Sequence, residues 1–213
     1  MKGLKDLLGN PFEGLTKDEV QKKCAMIAKE LFTNYHIEKL GEEYIFTELE
    51  FYYCSKNHPD LITYPRDMEE GRWFFHQSGI DLTFRSSYSR YNDSNGVVDM
   101  DKDFSFGGIL IRGIKNVRTL ETFDGPYKCE WELFDNFDAI NIRPEEWPRL
   151  VENKETLKVT LDSSKRKFSY TKEKMKKKYE ELTQTVYIGK YPVTFEEFCE
   201  YIKQENLAYK IKI

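Results

Sequence analysis

The run Thr47-Glu48-Leu49-Glu50-Phe51-Tyr52-Tyr53-Cys54-Ser55-Lys56-Asn57-His58-Pro59-Asp60 sets the architecture expected of this chain. With Tyr44, Ile45 and Phe46 ahead of it, it begins as a strand, because nearly every residue up to Tyr53 is β-branched or aromatic. Successive side chains on a strand point to opposite faces, so Phe46, Glu48, Glu50 and Tyr52 are expected to share one face. Two carboxylates on an otherwise apolar face are out of place in a plain core strand. Their Cβ atoms would lie roughly 7 Å apart, close enough for at least one carboxyl to titrate higher than usual. The competing reading is a solvent-facing sheet edge, where glutamate costs nothing.

On the N-terminal side, Thr16-Lys17-Asp18-Glu19 matches a capping box and predicts a helix running to about Thr33. Val20, Cys24, Ile27, Ala28, Leu31 and Phe32 recur at helical spacing and mark its buried face. Tyr35 to Leu40 reads as a strand, and Gly41-Glu42-Glu43 as the turn that makes the two-carboxylate strand its hairpin partner.

On the C-terminal side, Ser55 to Asp60 and Thr63 to Asp67 are polar loops. Gly71 then precedes an aromatic strand, Arg72 to His76. Gln77-Ser78-Gly79 is a hairpin turn and Ile80 to Phe84 the return strand. Ser, Asp and Asn from Ser86 to Asp103 mark a surface loop. Gly107-Gly108 leads into a short buried strand, Ile109 to Ile111, ended by Arg112 and Gly113. A guanidinium beside a buried strand needs a carboxylate partner, unless Arg112 lies at a surface strand end. Further strands are expected at Cys129–Leu133, Ala139–Ile142 and Thr156–Leu161, with a short helix from Pro144 to Trp147. Lys165, Arg166 and Lys167, followed on a predicted helix by Lys172, Lys174, Lys176, Lys177 and Lys178, form the basic concentration of the sequence. It is either a phosphate-binding surface or a solvated helix face. Thr194 to Glu197 is a second capping box, opening a helix with Phe195, Phe198 and Ile202 inward.

Composition narrows the classes. The chain has 213 residues, 39% hydrophobic and 15% aromatic, and the aromatic side chains bury enough area for a real core. A net charge of −4 announces no overall basic field. The four cysteines, Cys24, Cys54, Cys129 and Cys199, are too widely spaced for a metal motif or a disulfide framework. With His36, His58 and His76 as the histidines, a structural zinc site is not expected. MKGLKDLLGNPF carries no secretory h-region, and no stretch approaches the ~20 apolar residues of a membrane span. The expectation is a soluble cytoplasmic protein, a monomer with reduced thiols. Its predicted fold is α+β, one domain over residues 1–213, with a mostly antiparallel, curved or barrel-like sheet and peripheral helices.

Between Ala25 and Lys115 the chain resembles the alkyladenine (3-methyladenine) DNA glycosylases. Ala28-Lys29-Glu30-Leu31-Phe32 is similar to the family's first helix, with Thr33 in place of a glycine. Glu48-Leu49-Glu50-Phe51-Tyr52 keeps both acids and the tyrosine of the family's E-T-E-A-Y strand. A loop histidine follows, as His58 does, and Thr63-Tyr64-Pro65-Arg66 is similar to the family's T-P-R with one insertion. The aromatic hairpin from Gly71 to Phe84 comes next, then Gly108-Ile109-Leu110-Ile111-Arg112-Gly113, like the family's buried strand ending in arginine. No single motif is specific, but their order and separations match over somewhat under half the chain.

The resemblance implies roles. Glu50 would be the catalytic base and Arg112 the residue that helps hold the attacking water. Tyr52 would stack on an extruded base, His76 or Phe75 would give the other stacking face, and His58 would contact the flipped nucleotide. Lys165, Arg166, Lys167, Lys174, Lys176 and Lys177 are the candidate DNA-backbone contacts. Excision of an alkylated or deaminated purine in base excision repair is the implied reaction, DNA the implied partner, and no metal or cofactor is implied. The matched spacing requires the acidic strand, the hairpin and the Arg112 strand to lie in one antiparallel sheet, with Glu50 and Arg112 on one face. Four features depart from the family, the first being the absence of the strong basic balance usual in DNA-repair enzymes. The hairpin tip Gln77-Ser78-Gly79 has nothing large to insert into a duplex. Phe84-Arg85 stands where the family has a base-selecting asparagine. Asp81 lies on the return arm. The alternative is therefore a non-catalytic module that uses the same pocket for a base, nucleoside or other small ligand.

Overall fold

A computed structural model of the chain describes residues 2–9, 12, 14–60, 62–64, 66–77, 79–87, 98–99, 103–135, 137–138, 140–141, 143–166, 171–185, 187–188, 194–204 and 209–213. Helices α1 (Lys2–Gly9) and α2 (Lys17–Asn34) come first, then strands β1 (Tyr35–Lys39) and β2 (Glu42–Ser55). The capping box closes as expected: Thr16 donates its backbone N–H to the Glu19 carboxylate at 2.8 Å. Leu40 and Gly41 take positive φ angles of 52° and 78°, and Lys39 pairs with Glu42, so the turn between β1 and β2 is two residues long.

The hairpin follows as β3 (Trp73–His76) and β4 (Gly79–Thr83), then β5 (Val98–Asp99), β6 (Ser105–Asn116), β7 (Thr122–Asp124) and α3 (Pro126–Phe134). The remaining elements are β8 (Arg149–Glu152), β9 (Asp162–Ser164), α4 (Lys172–Thr185), β10 (Tyr187–Ile188), α5 (Phe195–Gln204) and β11 (Lys210–Lys212). The main sheet runs β3-β4-β6-β2-β1-β8. β7 is added to β6, and β11 lies between β2 and β9. Its pairings are antiparallel, and it curls into a half-barrel within one α+β domain. β5 and β10 pair in parallel as a separate ribbon.

One face of this sheet carries the core. Phe46, Leu49, Phe51, Leu82, Ile109, Ile111 and Ile114 pack there with Leu4 and Leu8 of α1, Ile27 and Leu31 of α2, and Cys129 and Leu133 of α3. A smaller cluster, Ile62, Phe198 and Ile202 with Tyr52, Met175 and Tyr179, involves α4, α5 and the opposite, outer face of β2.

The alternation breaks once, in both central strands together. Phe46 and Leu49 are both fully buried although three apart, and so are Ile111 and Ile114. The register is irregular between Phe46 and Leu49, where Glu48 faces Gly113. Glu48, Glu50 and Tyr52 therefore do share a face, but Phe46 lies on the other one. Gly113 permits the kink, because a Cβ there would sit 2.4 Å from Thr47 Oγ1 and 3.1 Å from Glu48 Cβ.

Several expected elements differ. Cys129–Leu133 is part of helix α3, not a strand. Its start is prepared by Gly125 at φ 110° and by Pro126, whose fixed φ suits a first turn. Cys129-Glu-Trp-Glu-Leu133 fits a period of two as well as a helix, and burial decides: Cys129 and Leu133 are inside, whereas Trp131 is 72% exposed. Thr156–Leu161 forms no strand, since pairing starts only at Asp162 opposite Lys212. The short helix after Pro144 is a single 3-10 turn, Pro144–Glu146. The Ile109–Ile111 strand extends over Ser105–Asn116. Ala139 and Ile142, like residues 88–97 and 100–102 of the expected surface loop, lie outside the described residues. No helix among the described residues is long and apolar enough to cross a membrane.

Gly107 tests the closeness of the central pair. A Cβ there would meet the Tyr52 carbonyl oxygen at 2.2 Å, whereas Gly3 in α1 has nothing within 4 Å. Gly107→Ala is expected to lower stability by about 1–3 kcal/mol, read from the urea midpoint, and Gly3→Ala to leave it unchanged or slightly raised.

Candidate functional site

The kink turns Arg112 and the two acids onto the outer face together. Arg112 donates from Nε to Glu48 Oε1 at 2.8 Å and from Nη1 to Glu50 Oε2 at 2.7 Å. Lys210, in register with Glu50 on the far side of β2, places Nζ 2.8 Å from Glu48 Oε1. Two acids and two cations thus form one neutral group. Glu50 is its most buried member, with a side chain 4% exposed against 29% for Arg112. Glu50 Oε1 accepts no hydrogen bond from the described residues.

The upward shift expected of the acid pair is not found at Glu48. Burial opposes its charge, but hydrogen bonds from Lys210 and then Arg112 outweigh burial and hold the carboxyl below its ordinary value. Burial likewise disfavours the charge on Arg112, yet Glu50 and Glu48 together hold its pKa above the ordinary arginine value.

Two strands away, in register with Leu110 and hence with Glu50, lies Asp81. It is 1% exposed. Arg66 Nη1 donates to its Oδ2 at 2.5 Å, and His76 Nε2 meets its Oδ1 at 2.9 Å. The Arg66 guanidinium lies 4.1 Å from the centre of the Phe74 ring. Burial works against the Asp81 charge, but Arg66 and then His76 hold its carboxyl below the ordinary range. Gly108 makes room, since a Cβ there would come within 2.9 Å of Arg66 Nη1. The aspartate that departs from the glycosylase pattern is thus the anchor of the Thr63–Arg66 segment and of the hairpin histidine.

The structure separates the two hairpin candidates. His76 is on the outer face with Asp81, while Phe75 is 51% exposed and turned towards Phe134 of α3, ring centres 4.8 Å apart. Tyr52 lies on the outer face, half-buried against Ile62, Phe198 and Ile202. Burial, and after it the Glu50 charge, push its phenol well above the usual range.

His58 is not brought to this group. It is 2% exposed, with Nδ1 3.1 Å from the Tyr53 carbonyl and Nε2 against the Tyr209 hydroxyl. A carbonyl only accepts, so in the neutral ring Nδ1 carries the proton and Tyr209 donates to Nε2. Arg166 is not a surface cation either. It and Asp60 form an ion pair at 2.8 Å, both side chains fully buried, and its guanidinium lies 4.9 Å from the Tyr52 ring centre. Arg166 Nη1 also donates to the Phe51 carbonyl at 3.2 Å, so the pair ties Asp60, at the end of the polar loop, to β2. Lys165 is exposed, as are Lys174, Lys176 and Lys177 on α4, and Lys167 lies outside the described residues. No cluster of three or more metal-ligating side chains occurs among the described residues. All four cysteines carry free thiols.

Sequence reasoning missed Lys210 and the partnership of Asp81. The signal for Asp81 was present: one carboxylate in an apolar return strand requires a cation. Lys210-Ile211-Lys212 alternates, but three residues are too few to read as a strand.

No protein-family model matches the chain. No solved structure matches it. Over 129 residues it is 24% identical to an uncharacterized protein of Acanthamoeba polyphaga mimivirus, a match that takes in 54% of this chain and 58% of that protein. The chain thus spans less than two thirds of that relative's length.

The depressed Asp81 carboxyl makes the fold acid-sensitive. An aspartate held below its ordinary 3.8 contributes stability that is complete above that value and is lost as pH falls through the folded-state value. Asp81→Asn leaves Arg66 buried without its counter-charge. At pH 7 the variant is expected to be less stable by about 3–5 kcal/mol, and its stability should fall less steeply than that of wild type below about pH 4, as read by chemical denaturation at each pH.

Proposed function

We propose that the outer face of the sheet is a nucleobase-excision site, where Glu50 activates water to hydrolyse the N-glycosidic bond of an alkylated or deaminated purine in DNA. The observation that carries this reading is the asymmetry of Glu50. One of its oxygens is held by Arg112, and the other is not engaged by the described residues. A carboxylate fixed through Oε2 keeps Oε1 available as a proton acceptor. Arg112 sets a positive charge against Glu50 Oε2 and also pairs with Glu48, so the neighbouring acid does not stand beside Glu50 as an uncompensated like charge.

In this reading a base inside a duplex is extruded first, at a cost of a few kcal/mol. Aromatic stacking offsets part of that cost, by about 1–3 kcal/mol per base. Tyr52 and His76 are the stacking candidates on this face. Positive charge builds on the sugar as the bond breaks, and Glu50 both stabilises it and deprotonates the water. That chemistry uses no metal or organic cofactor. The exposed lysines Lys165, Lys174, Lys176 and Lys177 are the proposed phosphate contacts, without Arg166.

A second reading, a module that holds a base or nucleoside without cleaving it, is favoured by one observation. Tyr52 is packed by Ile62, Phe198 and Ile202, which narrows the space left for a stacked purine.

Glu50→Gln keeps the size of the side chain and an acceptor for Arg112 but cannot take a proton. Excision of hypoxanthine or 3-methyladenine from DNA should fall by about 100-fold or more, while binding to the same DNA persists. Wild-type protein that binds modified DNA and releases no base would decide for the module. Separately, binding should weaken with salt at a slope of about −0.9 per phosphate neutralised, and replacing Lys174, Lys176 and Lys177 by Glu should nearly abolish it. Absence of DNA binding even at low salt would remove DNA as the partner.

A further inference from the structure

Helix α3 has two apolar stripes, and the fold fully buries only one. Cys129 and Leu133, four apart, are fully buried in the core. Tyr127, Trp131 and Phe134 follow a spacing of four and three and line the other side of the same helix. Tyr127 is 58% and Trp131 72% exposed.

The stripe continues off the helix. Phe75 meets Phe134 at 4.8 Å, Phe134 meets Phe137 at 5.8 Å, and Phe137 meets Trp147 at 5.2 Å between ring centres. Phe75 and Trp147 are each about half exposed, at 51% and 53%. The result is one continuous aromatic surface rather than scattered apolar residues, and such a surface marks an interaction site. Tryptophan and tyrosine are also the side chains that dominate binding energy at protein interfaces.

The rim of this surface is acidic. Glu130, Asp138 and Glu145 stand within two residues of its rings in sequence, and Asp135, next to Phe134, is paired with Lys39 at 3.3 Å. Of the cations in the same stretch, Arg143 is engaged by Glu146 and Arg149 by Glu38, which leaves Lys128. We infer that this face docks a segment of another protein that carries apolar anchors and a net positive charge. The acidic rim repels phosphates, so the rings are not a stacking platform for nucleic acid, nor an insertion surface for anionic lipid. Two copies meeting face to face would set the acidic rims against each other.

The test is a selection of random displayed peptides on the full-length wild-type protein, counter-selected against Trp131→Ser. Because Trp131 is largely solvent-exposed, the variant should keep the wild-type Tm. The enriched peptides should share aromatic or aliphatic anchors and a net positive charge. A synthesised winner should bind wild type about tenfold or more tighter than the variant, and more weakly as salt rises. The inference is overturned if nothing is enriched specifically on wild type, if the winners are neutral or acidic, or if they bind Trp131→Ser equally well. It is also overturned if sedimentation finds a wild-type dimer that Trp131→Ser dissociates, because a second copy would then be the occupant.

Discussion

β2 and β6 break step at the same level, and nearly everything on the outer face depends on it. Had either strand kept its alternation through Thr47–Glu48 or Arg112–Gly113, one set of charges would point into the core while the other faced outward. A one-residue change of phase sends a whole set of side chains to the opposite face. Because both strands change phase together, the core stays apolar on both sides of the kink, and Glu48, Glu50 and Arg112 emerge as a group. Gly113 is the local requirement, since only a residue without a side chain leaves room for Thr47 and Glu48.

On the outer face, ion pairs join the apolar cluster around Tyr52. Arg112 with Glu48 and Glu50, Arg66 with Asp81, and Arg166 with Asp60 each bind a loop or neighbouring strand to the sheet. The last two pairs are almost fully buried, and such pairs add little net stability over apolar packing of the same shape. Their cost of disruption is what matters, because a lone buried charge is far worse than either arrangement. Both pairs act on one stretch of the chain, since Asp60 meets Arg166 and Arg66 meets Asp81.

How much of this was legible in the sequence depended on how local each signal was. Helix α2 was readable from its capping box and its apolar spacing, and the hairpin from its turn and aromatic arms. That Arg112 requires a carboxylate was readable, because a guanidinium beside a buried strand needs one; Glu50 as that partner came with the resemblance, and the sharing of Arg112 with Glu48 was not readable. Nor was the phase break, since Thr47 and Gly113 look ordinary until their strands are paired. Helix α3 was misread because Cys129, Trp131 and Leu133 satisfy a period of two as well as a helix. The role of His58 comes only with the glycosylase resemblance, and that of Arg166 only with its place in a basic run; neither signal bears on burial. Their burial is decided by Tyr209 and Asp60, partners distant in sequence that no local pattern announces.

Lys210 reaches Glu48 only through β11, the pairing of β2 that spans the longest stretch of chain. Arg112 reaches it through the long ladder between β2 and β6, a much shorter loop. Loop closure separates the two by only about 1 kcal/mol, because its cost grows with the logarithm of length. The ladders differ far more, since one runs almost the whole of β2 and the other covers three residues. The two cations are therefore held unequally: Arg112 is fixed by the long ladder, whereas Lys210 depends on three paired residues. Without β11 in place, two carboxylates would face one guanidinium, and the outer face would carry a net negative charge that the last strand removes.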